Sequence, residues 1–103
     1  MILTIADKYG TLNFDTESKT MRITFSSLFW DVTPSDIHHI YVEQPKLFKK
    51  GVIMFFATED RELVGFDNNG NQYPLSIPVS YKYKDNFYMF YKTFADDCNI
   101  EIG

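Results

Sequence analysis

Apolar and polar residues alternate along most of this chain, and that alternation predicts strands. Thr11-Leu12-Asn13-Phe14 and Thr20-Met21-Arg22-Ile23-Thr24-Phe25 both repeat with period two around the polar turn Asp15-Thr16-Glu17-Ser18-Lys19. That arrangement is a β-hairpin with one buried face. Met1 to Ile5 is a shorter β-prone run, readable as a first strand or as a fraying terminus. Leu28 to Val32 follows, then the breaker Thr33-Pro34-Ser35-Asp36, in which proline belongs to the turn because it cannot donate to a ladder. Ile37 to Val42 is the next strand, and Glu62 to Phe66 another. Asp67-Asn68-Asn69-Gly70-Asn71 is a strong hairpin turn, since Asn and Gly tolerate positive φ. The returning strand spans Gln72 to Ile77, and Pro74 assigns it to a sheet edge.

The period changes after Ser80. No proline or glycine interrupts the chain as far as Cys98, and Tyr83, Phe87, Phe90, Tyr91, Phe94 and Cys98 recur largely in steps of three and four. This is one face of an amphipathic helix, with Ser80 as its N-cap and Asn99 as its stop. About seven strands joined by short loops, followed by one helix, predict a curved antiparallel sheet whose open end the helix covers. The expected organisation is a single domain over 1–103, with strands over 2–77 and the helix over 80–98.

One stretch breaks the regularity. Gln44-Pro45-Lys46-Leu47-Phe48-Lys49-Lys50-Gly51 is a basic, proline-broken loop that runs straight into the apolar segment Val52 to Ala57. It reads as a connection from a sheet edge into the central strand of a second sheet, with that strand apolar on both faces.

Composition narrows the class of function. Aromatic residues make up 17 % of the 103 residues, more rings than a small interior holds, so some are expected on the surface where protein interfaces use them. The formal charge of −4 argues against a general nucleic-acid binder, which neutralises phosphates with clustered Lys and Arg. A lone cysteine, Cys98, allows no internal disulfide and favours a reducing compartment. No basic segment followed by an apolar one opens the chain, and no apolar run approaches the roughly 18–20 residues of a membrane span. The expectation is a cytoplasmic protein.

Several of these segments together resemble a known family. Leu12-Asn13-Phe14-Asp15, Thr20-Met21-Arg22-Ile23, Val32-Thr33-Pro34-Ser35-Asp36-Ile37 and above all Pro45-Lys46-Leu47-Phe48-Lys49-Lys50-Gly51-Val52-Ile53-Met54-Phe55 are similar to segments of small bacterial pleckstrin-homology-like (PH-like) domains. These are the domains often found beside a short SHOCT-type module. The resemblance covers residues 10 to 97, and Thr33-Pro34 departs from the family's usual Pro-Leu order. The sequence contains no SHOCT-like segment after the helix. The resemblance implies a PH-like curved antiparallel barrel or sandwich of about seven strands, capped by the C-terminal helix. It implies no catalytic residue, because its motifs are structural. Many PH domains hold inositol phosphates on basic residues of the first hairpin, but here Asp15 and Glu17 accompany Lys19 and Arg22, which argues against that ligand.

The candidate chemistry is correspondingly spare. His38 and His39 adjoin on a strand, point to opposite faces and cannot share a metal. Asp67 to Asn71 departs from a calcium loop, with its glycine at the fourth position and no closing Glu. Asp96 and Asp97 diverge by about 100° on a helix. Cys98, at a helix C-terminus, lacks the surroundings of a nucleophile. No cofactor, metal or catalytic set is expected. Lys46, Lys49 and Lys50 around Leu47 and Phe48 have two readings. Either the lysines keep a loop soluble while Leu47 and Phe48 tuck into the core, or the loop is a contact patch. The helix edge, with Tyr81, Tyr88, Phe90 and Tyr91, is the other candidate surface. The leading expectation is a non-catalytic protein-binding or oligomerisation module of bacterial or phage type, whose partner is another protein or a second copy. Its binding residues would be Lys46, Leu47, Phe48, Lys49, Lys50, Tyr88 and Tyr91. The alternative is an anionic lipid or ligand bound by the basic loop.

Overall fold

A four-stranded antiparallel meander opens the fold: β1 (Ile2–Asp7), β2 (Gly10–Asp15), β3 (Thr20–Phe25) and β4 (Leu28–Val32), neighbours in that order. The computed structural model describes residues 1–8 and 10–103. Leu12 stands opposite Ile23 and Phe14 opposite Met21, and all four side chains are buried, as the alternation requires. The β2–β3 turn is organised by Asp15, whose carboxylate accepts the Glu17 N–H at 2.9 Å while its carbonyl accepts the Lys19 N–H. The Glu17 N–H holds the Asp15 carboxyl below its ordinary pKa. Pro34 lies in a 3₁₀ turn, Pro34–Asp36, where Asp36 accepts the Thr33 N–H at 3.0 Å.

The second sheet contains β5 (His39–Glu43) and β6 (Gly51–Phe56). Between β6 and the sheet's last strands, a two-stranded hairpin is formed by β7 (Val64–Phe66) and β8 (Gln72–Pro74). Then come β9 (Ile77–Val79), the helix α1 (Lys84–Cys98) and β10 (Glu101–Ile102), giving the second sheet the order β10-β5-β6-β9. The Gln72–Ile77 segment is therefore not one strand: β8 pairs with β7, and the chain moves on past Pro74 so that β9 pairs with β6. The Trp30 indole fixes the β7–β8 hairpin, donating from Nε1 to the Phe66 carbonyl at 3.2 Å and lying against Tyr73. Gly65 is required there, because a Cβ would sit 2.6 Å from the indole Nε1.

The helix covers both sheets. Phe87, Phe90, Tyr91, Phe94 and Ala95 are buried, and Phe94 meets Phe14 of the first sheet edge-on at 5.0 Å and Phe55 of the second at 6.2 Å. The molecule is mainly β with one C-terminal helix around a single contiguous core. Its architecture differs from the expectation in four ways. Ten strands form among the described residues, because β8 and β9 separate and a short β10 arises beyond the helix. Among the described residues, no ladder joins the two sheets into a closed barrel. One pairing is parallel, β10 along β5. Finally, α1 begins at Lys84: Ser80 donates its hydroxyl to Asp7 at 3.3 Å, and Tyr81–Tyr83 form a 3₁₀ turn first. Asn99 does end the helix, in the left-handed region at φ 55° and ψ 46°.

Candidate binding surface

The basic loop is a hairpin tip within one sheet rather than a crossing between sheets. The β5–β6 ladder runs out to Glu43 opposite Val52, so the chain leaves and re-enters the same pair of strands. Pro45 and Gly51 are buried at the base. A Cβ on Gly51 would collide with the Glu43 carbonyl and lie 2.7 Å from Pro45 Cδ, so glycine permits this close approach. Beyond the base, Lys46 and Lys49 exchange both backbone hydrogen bonds, 2.8 and 2.9 Å, closing a two-residue turn. Leu47 and Phe48 are the turn.

This geometry decides between the two readings of Leu47 and Phe48. They do not tuck into the core: Leu47 is 64 % exposed and Phe48 98 %. Phe48 also has φ 72°, a conformation that costs a bulky residue on the order of 1 kcal/mol. Leu47 and Phe48 form the two-residue turn beyond the Lys46–Lys49 pair, past the Glu43–Val52 end of the β5–β6 ladder. Neither packing nor turn chemistry accounts for a phenylalanine at this position.

The three lysines do not converge. Lys46 and Lys49 flank the tip, whereas Lys50 turns back toward the sheet, with Nζ 3.6 Å from Asp7 Oδ2. There it borders a concavity of about 410 Å³ that Asp7, Lys8, Ser80, Lys82 and Tyr83 also line. Tyr91 is buried, 7 % exposed, and its hydroxyl accepts a hydrogen bond from Gln44 Nε2 at the base of the loop. Burial raises the pKa of that hydroxyl. Tyr88 is 51 % exposed and stands edge-on to Tyr91 at 5.5 Å. The loop and the helix edge therefore meet through Gln44 and Tyr91, with Tyr88 as the ring turned outward. Phe90 is core.

The remaining sequence candidates resolve as follows. His38 precedes β5 in a bend, its N–H donating to the Phe56 carbonyl at 2.7 Å, so strand alternation begins only at His39. The two rings consequently meet, Nδ1 to Nδ1 at 2.8 Å, and do not point to opposite faces. His39 stacks on Phe56 at 4.5 Å. Asp67 spends its carboxylate on its own turn, accepting from the Asn69 and Asn71 N–H groups and from Asn71 Nδ2. Asp97 pairs with Lys19 at 3.4 Å. Burial pushes the Cys98 thiol pKa up, with Lys19 opposing and Asp97 adding to the rise. Among the described residues, no group of three or more His, Cys, Asp or Glu is placed to hold a metal ion, and no helix is long and apolar enough to cross a membrane.

Sequence reasoning missed the concavity beside Lys50. Its walls come from the start, the middle and the last third of the chain, and the Ser80–Asp7 contact spans 73 positions. Comparison with protein-family models, with curated proteins and with solved structures gave no match to this chain.

Proposed function

We propose that this protein is a non-catalytic, PH-like binding module that engages a partner protein through the tip of the β5–β6 hairpin. One observation carries the reading: Phe48, in a positive-φ position and 98 % exposed, beside Leu47, on a hairpin braced at its base. A ring that gains nothing from the fold, and costs it conformational energy, is accounted for by contact with something outside it. Aromatic anchors entering a partner's pocket are the usual energetic centre of protein interfaces. Lys46 and Lys49 beside the tip would suit a pocket rimmed with carboxylates. Support for the PH-like part comes from the succession of elements. A four-stranded antiparallel meander is followed by antiparallel β5, β6 and β9 and then by the terminal helix, with the β7–β8 hairpin and β10 as additions.

The test is site-specific photocrosslinking with p-benzoylphenylalanine at position 48, and at Ser18 on a distant turn as the control. A discrete adduct found only from position 48, and mapped by mass spectrometry, is the expected result. Adducts shared with the Ser18 control, or none at all, would remove the tip as the contact. An apolar tip between lysines is also the form of a wedge for an anionic bilayer. Sedimentation with phosphatidylcholine vesicles, with and without phosphatidylserine, separates this second reading. Phosphatidylserine-dependent binding that Lys46→Glu and Lys49→Glu abolish would replace a protein partner by a membrane.

A further inference from the structure

At the end of β6 opposite the Phe48 tip lies an apolar hole. Trp30, Val32, Leu63, Val64 and Leu75 line a concavity of about 330 Å³. Val32 and Leu75 are buried, whereas Trp30, Leu63 and Val64 are half-buried and reach its mouth. An apolar cavity of about 150 Å³ already takes a benzene ring, so this one has room for a phenyl side chain. The tip precedes β6 and Ala57, which also lines the hole, follows it. Six residues of strand, about 17 Å, therefore separate the tip from the hole of the same molecule.

The rim of the hole is acidic. Asp31 and Asp36 border it. Asp31 is occupied by Arg22, both its oxygens accepting from the guanidinium at 2.7 and 2.9 Å. Asp36 accepts from the Thr33 N–H and hydroxyl. Ala57 opens a turn over 58–61, closed by its N–H on the Arg61 carbonyl, which adds exposed Glu59 and Asp60 against one cation, Arg61. Among the described residues, no ion pair engages Asp36, Glu59 or Asp60, and none engages Lys46 or Lys49 beside the tip.

We propose that the partner of the tip is a second copy of this chain. Its Trp30, Leu63 and Leu75 receive Phe48, while Lys46 and Lys49 face its Asp36, Glu59 and Asp60. The inference rests on the reading of the tip as the contact site and names what the tip enters. A copy is favoured over an unrelated protein because this chain carries both halves of the contact. One half is an exposed ring between unpaired ammonium groups, and the other is an apolar hole beside unpaired carboxylates. Two copies related by a two-fold axis, their β6 strands antiparallel, bring each tip to the other's hole. Both contacts then form at once, and the assembly closes as a dimer.

Sedimentation velocity of the full chain over a concentration series tests it, with the variants Phe48→Ser and Ala57→Arg. Both positions are exposed, so neither change disturbs the core. The parent should dimerise, and less tightly as salt rises. Each variant alone spoils both contacts of a pair and should associate about a hundredfold more weakly, about tenfold per contact. Mixing the two variants leaves one contact intact, the native tip of one in the native hole of the other. The mixture should therefore lose only about tenfold. p-Benzoylphenylalanine at position 48 should crosslink a second copy within 30–36 or 57–64. A parent that stays monomeric at millimolar concentration overturns the second copy, and an adduct from position 48 to a different protein then keeps the binding-module reading. A mixture no tighter than either variant, or a crosslink to any other part of the second copy, overturns the hole as the receiving site. A monomer with no adduct from position 48 overturns this inference and the reading of the tip together.

Discussion

Gln44 donates its side-chain amide to the Tyr91 hydroxyl, tying the base of the β5–β6 hairpin to a buried ring of the helix. The exposed tip is thus carried on a braced stem, and the brace joins segments 47 positions apart. Removing it with Gln44→Ala or Tyr91→Phe should cost about 1 kcal/mol, the net worth of one hydrogen bond. Hydrogen exchange at Leu47–Lys49 should speed up in both variants. The double variant should lose less than the two singles added together, as contacting partners do.

Phe48 separates binding from stability. It makes no core contact and holds a positive φ, so Phe48→Gly should raise the midpoint of urea unfolding, by up to about 1 kcal/mol in stability. The same change should abolish crosslinking at the tip, tested with the photoreactive residue moved to position 47. A destabilised Phe48→Gly would mean that the ring is part of the fold.

Phe94 shows the opposite behaviour. Its ring joins the two sheets through Phe14 and Phe55. Phe94→Ala should cost about 3–5 kcal/mol, the range for truncating a buried phenylalanine. Urea denaturation followed by circular dichroism measures it. Because the helix is what closes the core, the loss should appear in one cooperative transition.

Gly65 lies under the Trp30 indole. Gly65→Ala places a methyl against Nε1, and the hairpin or the indole must shift. A cost of about 1–3 kcal/mol is expected, typical of overpacking. A red-shifted Trp30 fluorescence, from an indole pushed toward water and away from the Phe66 carbonyl, would accompany it.

The β7–β8 turn should depend on pH through Asp67. Hydrogen bonds from the Asn71 side chain, then from backbone N–H groups, stabilise its carboxylate and lower its pKa from 3.8. A folded pKa below the unfolded one means that the contribution is complete above the unfolded value. It is lost as pH falls through the depressed folded value. Amide shifts of Asn69 and Asn71, followed by NMR, should titrate below the ordinary carboxylate range. In Asp67→Ala that titration should vanish.

Much of the fold was legible locally. Period-two alternation marked β2 and β3, the Asp67–Asn71 turn marked the β7–β8 hairpin, and the spacing of Phe87, Phe90, Tyr91 and Phe94 marked the inward face of the helix, because each depends on residues a few positions apart. The basic loop was also visible as a loop, yet its orientation was not. Whether Leu47 and Phe48 turn in or out depends on where the β5–β6 ladder stops, which Glu43 and Val52 decide by pairing.

The amino-acid order alone determined the first hairpin, the Asp67–Asn71 turn, which helix face is buried and where Asn99 ends the helix. Tertiary structure decided the rest. It drew Ser80 to Asp7, turned Lys50 toward Asp7, split β9 from β8 and laid β10 along β5. Each of those outcomes is a contact between parts of the chain whose separation no local pattern encodes, and only the closing of the core brings them within reach.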